Sequence, residues 1–312
     1  MFEVLLGIGE YKSKQGWVQL QGPDVGRNQS TSVVVGDKLY IFGGRRATTN
    51  AFNTVSVYDF IADEWKELPA GANVNLRAAG GLVGNKFYVF GGYTGSADTN
   101  TMVEFTIDGE TITPVTRSNG GLAVRNSHCM SAIDNKVYLF GGNGAQGIMY
   151  EFKSYNTDNF TVANLTPPYQ IRYASLTSHD RRLYTLGGYE TANTSVASFR
   201  SYNVDNNTWT AHKNGLVNRN RHSAVALNNK IYVFGGQSGT SSTPNTINND
   251  HIFSVYDIET DTWSNIILPP GKMPPTRFYA NMEVYDGKIY LSGGYTNGVY
   301  HNDLWVYDPE NP

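Results

Sequence analysis

Six arginines recur 14 to 16 residues ahead of a Gly-Gly pair: Arg27, Arg77, Arg125, Arg172, Arg221 and Arg277. A guanidinium is a planar fork of donors that pairs bidentately with carboxylate or phosphate, so six of them around one opening would bind anions. Immediately after the glycines stand Arg45, Tyr93, Asn143, Tyr189, Gln237 and Tyr295. Aromatic faces stack on apolar surface while amides supply donors and acceptors, which suits peptide or sugar recognition. The set contains no nucleophile. The bland alternatives stay open: the arginines as braces between repeats through backbone carbonyls, and the tyrosines as packing.

Thirteen residues before each first glycine stand Ser30, Ala78, His128, Ala174, His222 and Ala280. Two histidines could share a metal only if a carboxylate joined them, and none occupies that register. No metal, cofactor or catalytic residue is assigned. The lone Cys129 excludes an intrachain disulfide and is read as a small buried hydrophobe.

The elements that must position these residues follow from the glycines. Gly43-Gly44, Gly91-Gly92, Gly141-Gly142, Gly187-Gly188, Gly235-Gly236 and Gly293-Gly294 are spaced by 48, 50, 46, 48 and 58 residues. The runs before them, such as Leu39-Tyr40-Ile41-Phe42 and Ile231-Tyr232-Val233-Phe234, are β-branched or aromatic and read as buried strands. Turn formers such as Gly36-Asp37 and Asn228-Asn229 precede them, so each repeat opens with a hairpin. A third strand recurs as Val57-Tyr58-Asp59, Ser201-Tyr202-Asn203, Val255-Tyr256-Asp257 and Val306-Tyr307-Asp308. A fourth carries Trp65, Trp209 or Trp263. In the second copy Ile112 and Val115 stand near the tryptophan position, and in the third Phe160.

Hairpin, Gly-Gly, Tyr-Asp and Trp recurring in that order over residues 15–312 resemble the kelch family, whose repeats run to about 50 residues. The resemblance implies an all-β, six-bladed kelch propeller with four antiparallel strands per blade. Trp17 has no Gly-Gly before it, and the sixth repeat ends before a tryptophan. The N-terminal strand around Trp17 is therefore expected to close the last blade and remove the exposed edge. Residues 1–14 would form an arm that packs on the ring or docks on another subunit.

In propellers of this family the arginines and the residues after Gly-Gly gather at one channel mouth. Kelch adaptors of ubiquitin ligases hold acidic peptides with arginines at matching positions, which makes the six arginines the first ligand candidates; His222 is added to the mouth set, although a histidine at its register is common in kelch repeats. The insertion Ser238–Asp250 projects by register from the same mouth. Long loops in compact domains are functional or disordered, and Thr240, Asn245, Asn248 and Asp250 are its candidate specificity residues.

Charged residues make up 16% of the chain against a usual 25% or so, with a net charge of −3. No basic stripe supports nucleic-acid binding. The start Met-Phe-Glu-Val-Leu-Leu-Gly-Ile-Gly-Glu lacks a basic n-region and a span long enough for a bilayer, so a cytoplasmic or virion-associated protein is expected. The crosslink and copper set of galactose oxidase, the iron motif of plant specifier proteins and the Asp-box of sialidases are missing. Sialic-acid mutarotases pass the motif test and predict a carboxylate beside a mouth arginine, with Glu151, Glu190 and Asp250 the first to try. The leading expectation, resting on the repeat and the missing catalytic set, is a non-enzymatic module that binds a protein segment or a glycan; within it, the surface composition and the apolar arm resemble virion-displayed propellers. The alternatives are a mutarotase-like enzyme and a purely structural part of an assembly.

Overall fold

The computed structural model describes residues 16–46, 50, 53–190, 194–240 and 251–312, together with the backbone of 244–246. The arm 1–14, Asn248 and Asp250 lie outside the described residues. Six four-stranded antiparallel sheets form the ring. In the first blade the strands are Thr31–Val35, Lys38–Phe42, Thr54–Asp59 and Glu64–Pro69, paired in chain order from the inside outward. In the first five blades the second strand is buried on both faces, which is why its apolar run does not alternate.

The recurring Tyr-Asp has two tasks. The Asp59 carboxylate caps the following turn by accepting from Ile61 N and Ala62 N, both at 2.9 Å. The Tyr58 hydroxyl donates to Asp63 across that turn, and Tyr202 and Tyr256 do the same to Asn207 and Asp261. The tryptophans then tie blades together. Trp65, Trp209 and Trp263 each donate their indole N–H at 2.9 Å to a carbonyl of the preceding blade, on Gln21, Thr166 and Lys213. In the worn copies the register differs from the sequence expectation. Pro114 faces Phe105 where tryptophan belongs, with Ile112 packed beside it and Val115 outward. In the third blade Val162 faces Tyr155, and Phe160 sits in the turn with φ of 59°.

The last blade closes as expected. Val18–Leu20 pairs antiparallel with Leu304–Tyr307, matching Val18 with Val306 and Leu20 with Leu304. Continuing that register sets Trp17 opposite Tyr307. Its ring lies 5.4 Å from Tyr307, 5.2 Å from Phe253 and 5.6 Å from Phe234. N- and C-termini therefore share one sheet, and no blade is left with a half-built edge.

The Gly-Gly pair is the joint between blades. The Gly142 N–H donates at 2.7 Å to the Ile171 carbonyl of the next blade. A Cβ on Gly141 would stand 2.1 Å from that same oxygen, and its φ is +63°. Only glycine fits both constraints. The joint repeats from Gly92 to Arg125, Gly188 to Arg219, Gly236 to Arg277 and Gly294 to Arg27.

A candidate binding mouth

The structure divides the six arginines by register, and the division decides what each can do. Arg27, Arg125 and Arg277, sixteen residues before a first glycine, turn into their blades and are almost wholly buried. Each donates Nη1 to the carbonyl of that glycine, Gly43, Gly141 or Gly293, at 2.8, 3.2 and 3.0 Å. Each also pairs with a carboxylate of its own blade: Glu67, Glu151 or Asp303. Burial pulls the Arg27 and Arg125 guanidinium pKa values down against the raising effect of these carboxylates. Their placement as mouth residues is thus corrected. They are braces, and Asn75 does the same work for Gly91 in the second blade.

Arg219 was missed by the sequence reading. It occupies this bracing register in the fifth blade, donating to Gly235 O at 3.3 Å, His251 O at 2.8 Å and Ser254 Oγ at 3.1 Å. The signal was available, because the fifth repeat carries both Arg219 and Arg221 and only one can fill each register.

Fourteen residues before the glycine the chain turns the other way. Gln29, Arg77, Ser127, Tyr173, Arg221 and Tyr279 all have φ between 56° and 58°. For residues with a Cβ this left-handed conformation costs about 1 kcal/mol each. A chain of backbone hydrogen bonds offsets it: Arg77 N to Gln29 O, Ser127 N to Arg77 O, Tyr173 N to Ser127 O, Arg221 N to Tyr173 O and Tyr279 N to Arg221 O, all 2.9–3.0 Å. The six side chains surround a recess of about 160 Å³ at the channel mouth. The turn recurs in all six blades whatever the residue, so it belongs to the repeat.

Inside the recess Arg221 is held over the Tyr173 ring at 4.1 Å. Its Nε donates to Tyr279 Oη at 2.5 Å, and its Nη1 donates to Gln237 Oε1 at 2.5 Å and to Tyr189 Oη at 3.2 Å. Arg77 Nε donates to Gln29 Oε1 at 2.8 Å. A second crevice of about 350 Å³ shares Gln29 and Arg77 and adds Arg45, Asn50 and Tyr93. Arg77 therefore lines both cavities, with Arg45 in one and Arg221 in the other, and no described residue lining either is a carboxylate.

The remaining candidates are placed as follows. Arg172 donates to Asn143 Oδ1 at 3.0 Å and lies over Tyr173 and Tyr189 at 5.4 and 5.7 Å, at the edge of the recess. Tyr189 is fully buried and Gln237 nearly so, each presenting its polar tip to Arg221. Tyr295 packs against Phe278 and Tyr300. His222 borders the recess, but its ring is buried and shares a hydrogen bond with Ser175 Oγ at 3.0 Å. Burial and the Arg219 charge push its pKa well below the usual histidine value, so it stays neutral. Thr240 bridges to Thr194 of the fourth blade, and Asn245 lies in the strand Pro244–Thr246 opposite Ser238.

A mutarotase-type site needs a carboxylate here. Glu151 is paired with Arg125 inside the third blade, and Glu190 accepts from Ser198 Oγ. Ser201, His212 and Asp261 approach each other in the order of a hydrolytic triad, with Ser201 Oγ 2.8 Å from His212 Nε2 and Asp261 3.7 Å from His212 Nδ1. Ser201 is wholly buried, so its hydroxyl meets no substrate.

Tyr173 gives the mouth a pH signature. Burial pushes its phenol up, but the Arg77 charge, the Ser127 hydrogen bond, the Arg221 charge and Tyr279 together bring it down to about 8. An unfolded phenol titrates near 10. The phenolate's contribution to stability is therefore full above about pH 10 and lost as pH falls through 8. Ultraviolet titration should show one phenolate forming near pH 8, moved upward in Arg77→Gln. A first ionisation near pH 10 in the native protein would contradict this electrostatic picture.

Comparison with known proteins agrees with the repeat pattern. A family profile described as the KLHDC2/KLHL20/DRC7 Kelch-repeats domain matches residues 29–213 and 164–312. This chain belongs to the kelch-repeat family. Kelch domain-containing protein 3 of Rattus norvegicus is 28% identical over 278 residues, covering 78% of this chain and 71% of that protein. Kelch-like protein 25 of Xenopus tropicalis is 26% identical, covering 81% of this chain and 43% of the relative. Kelch-like protein terF of Aspergillus terreus is 26% identical, covering 89% and 63%. A kelch propeller is typically a protein-interaction module, and its joints, braces and closing strand are all present here. No helix among the described residues is long and apolar enough to cross a membrane.

Proposed function

We propose that this kelch propeller is a non-enzymatic binding module that seats an acidic, carboxylate-bearing segment of a protein partner at the channel mouth. The observation that carries the reading is that Arg45, Arg77 and Arg221 line two neighbouring cavities in which no described lining residue is a carboxylate. The contrast with the buried braces is physical: Arg27, Arg125 and Arg277 already have their counter-charge, whereas Arg221 is held only by neutral oxygens and aromatic faces. Neutral partners orient a guanidinium without cancelling its charge, so an incoming carboxylate gains a preorganised fork. Tyr173 and Tyr279 add aromatic walls that stack on the segment's apolar parts. Among the described residues that line the two cavities none is a carboxylate, so a mutarotase-like reading gains no support from them.

The test is a titration of the purified chain with a labelled, end-capped peptide of alternating glutamate and glycine, beside its glutamine counterpart. The acidic peptide should bind and the glutamine peptide should not. Arg77→Gln with Arg221→Gln should weaken binding about 100-fold, roughly 3 kcal/mol, because two desolvated charge pairs are lost. Equal binding by the double variant, with the fold intact, would overturn the assignment. Affinity should also fall from pH 7 to pH 9 as the Tyr173 phenolate forms beside both arginines.

A further inference from the structure

On the end of the ring opposite the mouth, where the first and last blades meet, lies a groove of about 400 Å³. Its walls come from the turn after Tyr58 in the first blade and the inner hairpin turn at Asp286 in the last. The outer strand Val18–Leu20 is only three residues long, against four to seven in the other blades, and Val18 and Leu20 line one flank of the groove.

Two aromatics make this seam unlike the repeat. Phe60 N donates to Asp37 O, and the residues making the same bond in other blades are Ile107, Thr157, Val204 and Ile258. Tyr285 ends an inner strand where the other repeats have Val35, Val83, Ile133, His179 and Leu227. Non-aromatic β-branched residues thus satisfy the fold at the Phe60 position. Here Phe60 and Tyr285 stack face to face at 3.9 Å with an interplanar angle of 4°, and Tyr290 closes on Phe60 at 4.7 Å. Beside this platform Ile61 is 74% exposed.

The rim is acidic. Asp63, Asp286 and Asp308 line the groove against one ammonium, that of Lys288. The backbone does not demand the charge at two of these positions. Asp63 and Asp286 have left-handed φ of 56° and 47°, which asparagine and glycine adopt as readily. The fourth blade uses Asn207 in the place of Asp63 with the same tyrosine hydrogen bond. Aromatic faces and carboxylates around one apolar groove are complementary to a cation carried on an aliphatic stem.

We propose that this seam groove is a second docking site, for a protein segment in which lysine or arginine alternates with large apolar residues. The basic side chains pair with Asp63, Asp286 and Asp308, and the apolar ones cover Ile61 and the Phe60–Tyr285 stack. The propeller then holds two partners, or two parts of one, by opposite charges at opposite ends.

The test uses the full chain and a labelled peptide, Ile-Arg-Leu-Lys-Phe, acetylated and amidated so that it offers the mouth no carboxylate. Ile-Gln-Leu-Gln-Phe is the neutral control. The basic peptide should bind at least tenfold more tightly than the control. Asp63→Asn with Asp286→Asn should weaken it about tenfold, and Ile61→Ser several-fold, each with an unchanged melting curve. Arg77→Gln with Arg221→Gln should have no effect, which keeps this result independent of the mouth. Equal affinity for the two peptides, indifference to the Asp63 and Asp286 changes, or displacement of the basic peptide by the acidic one would each overturn the proposal.

Discussion

Arg125→Met is expected to destabilise the propeller by about 3 kcal/mol, while Arg221→Met changes stability by less than about 1 kcal/mol. Methionine keeps most of the volume of Arg125 but leaves the Gly141 carbonyl without its side-chain donor and Glu151 without its cation. An orphaned buried carbonyl and a half-shielded carboxylate lie at the lower end of what breaking a buried ion pair costs, because Glu151 keeps some contact with water. Arg221 faces the recess, where water replaces its donors. Urea unfolding of the two variants separates the registers. Equal losses would mean that both arginines brace the fold, and the mouth would lose its distinguishing residue.

Trp17→Ala is expected to cost more, about 3–5 kcal/mol, the range for truncating a buried tryptophan. The indole is 2% exposed and fills the space between Phe234, Phe253 and Tyr307. The Trp17 backbone N–H donates to Lys272 O at 2.9 Å just before Val18 begins pairing, a bond that alanine keeps, so the substitution removes the packing of the ring alone. Losing the ring's packing loosens the closing strand over Leu304–Tyr307, and an unpaired edge invites association between chains. Denaturation and size-exclusion chromatography together check both consequences. Trp65→Ala is the control: its indole is partly exposed and holds one carbonyl at the surface, so its cost should be clearly smaller. A Trp17→Ala protein as stable as the parent and monomeric would show that closure does not depend on this strand.

The architecture was legible because its causes are local and repeat. Gly-Gly marks a place where a carbonyl of the next blade comes too close for a Cβ, Tyr-Asp marks a turn that caps itself, and Trp17 without a glycine pair marks the closing strand. The mouth was legible only in part. Grouping arginines found 14 to 16 residues before the glycines merged three conformations. The residue at sixteen points into the blade, the one at fifteen pairs with the residue after Gly-Gly, and the one at fourteen turns left-handed toward the opening. Gln29, Ser127, Tyr173 and Tyr279 escaped notice because the mouth register varies in residue type and is uniform only in φ. Backbone sign is not written in composition. The seam groove was invisible for a related reason, since Phe60 and Tyr285 are 225 residues apart in the chain and meet only when the ring closes.

The measurement that tests the central claim most directly is the ultraviolet titration of Tyr173 with and without saturating acidic peptide. Arg77 and Arg221 hold this phenol down to about 8. A carboxylate seated on those guanidinium groups cancels their field and stabilises the neutral phenol, so the midpoint should rise by a unit or so in the complex. A saturated complex whose Tyr173 midpoint stays at its free value would show that the peptide sits elsewhere, and the mouth assignment would fall.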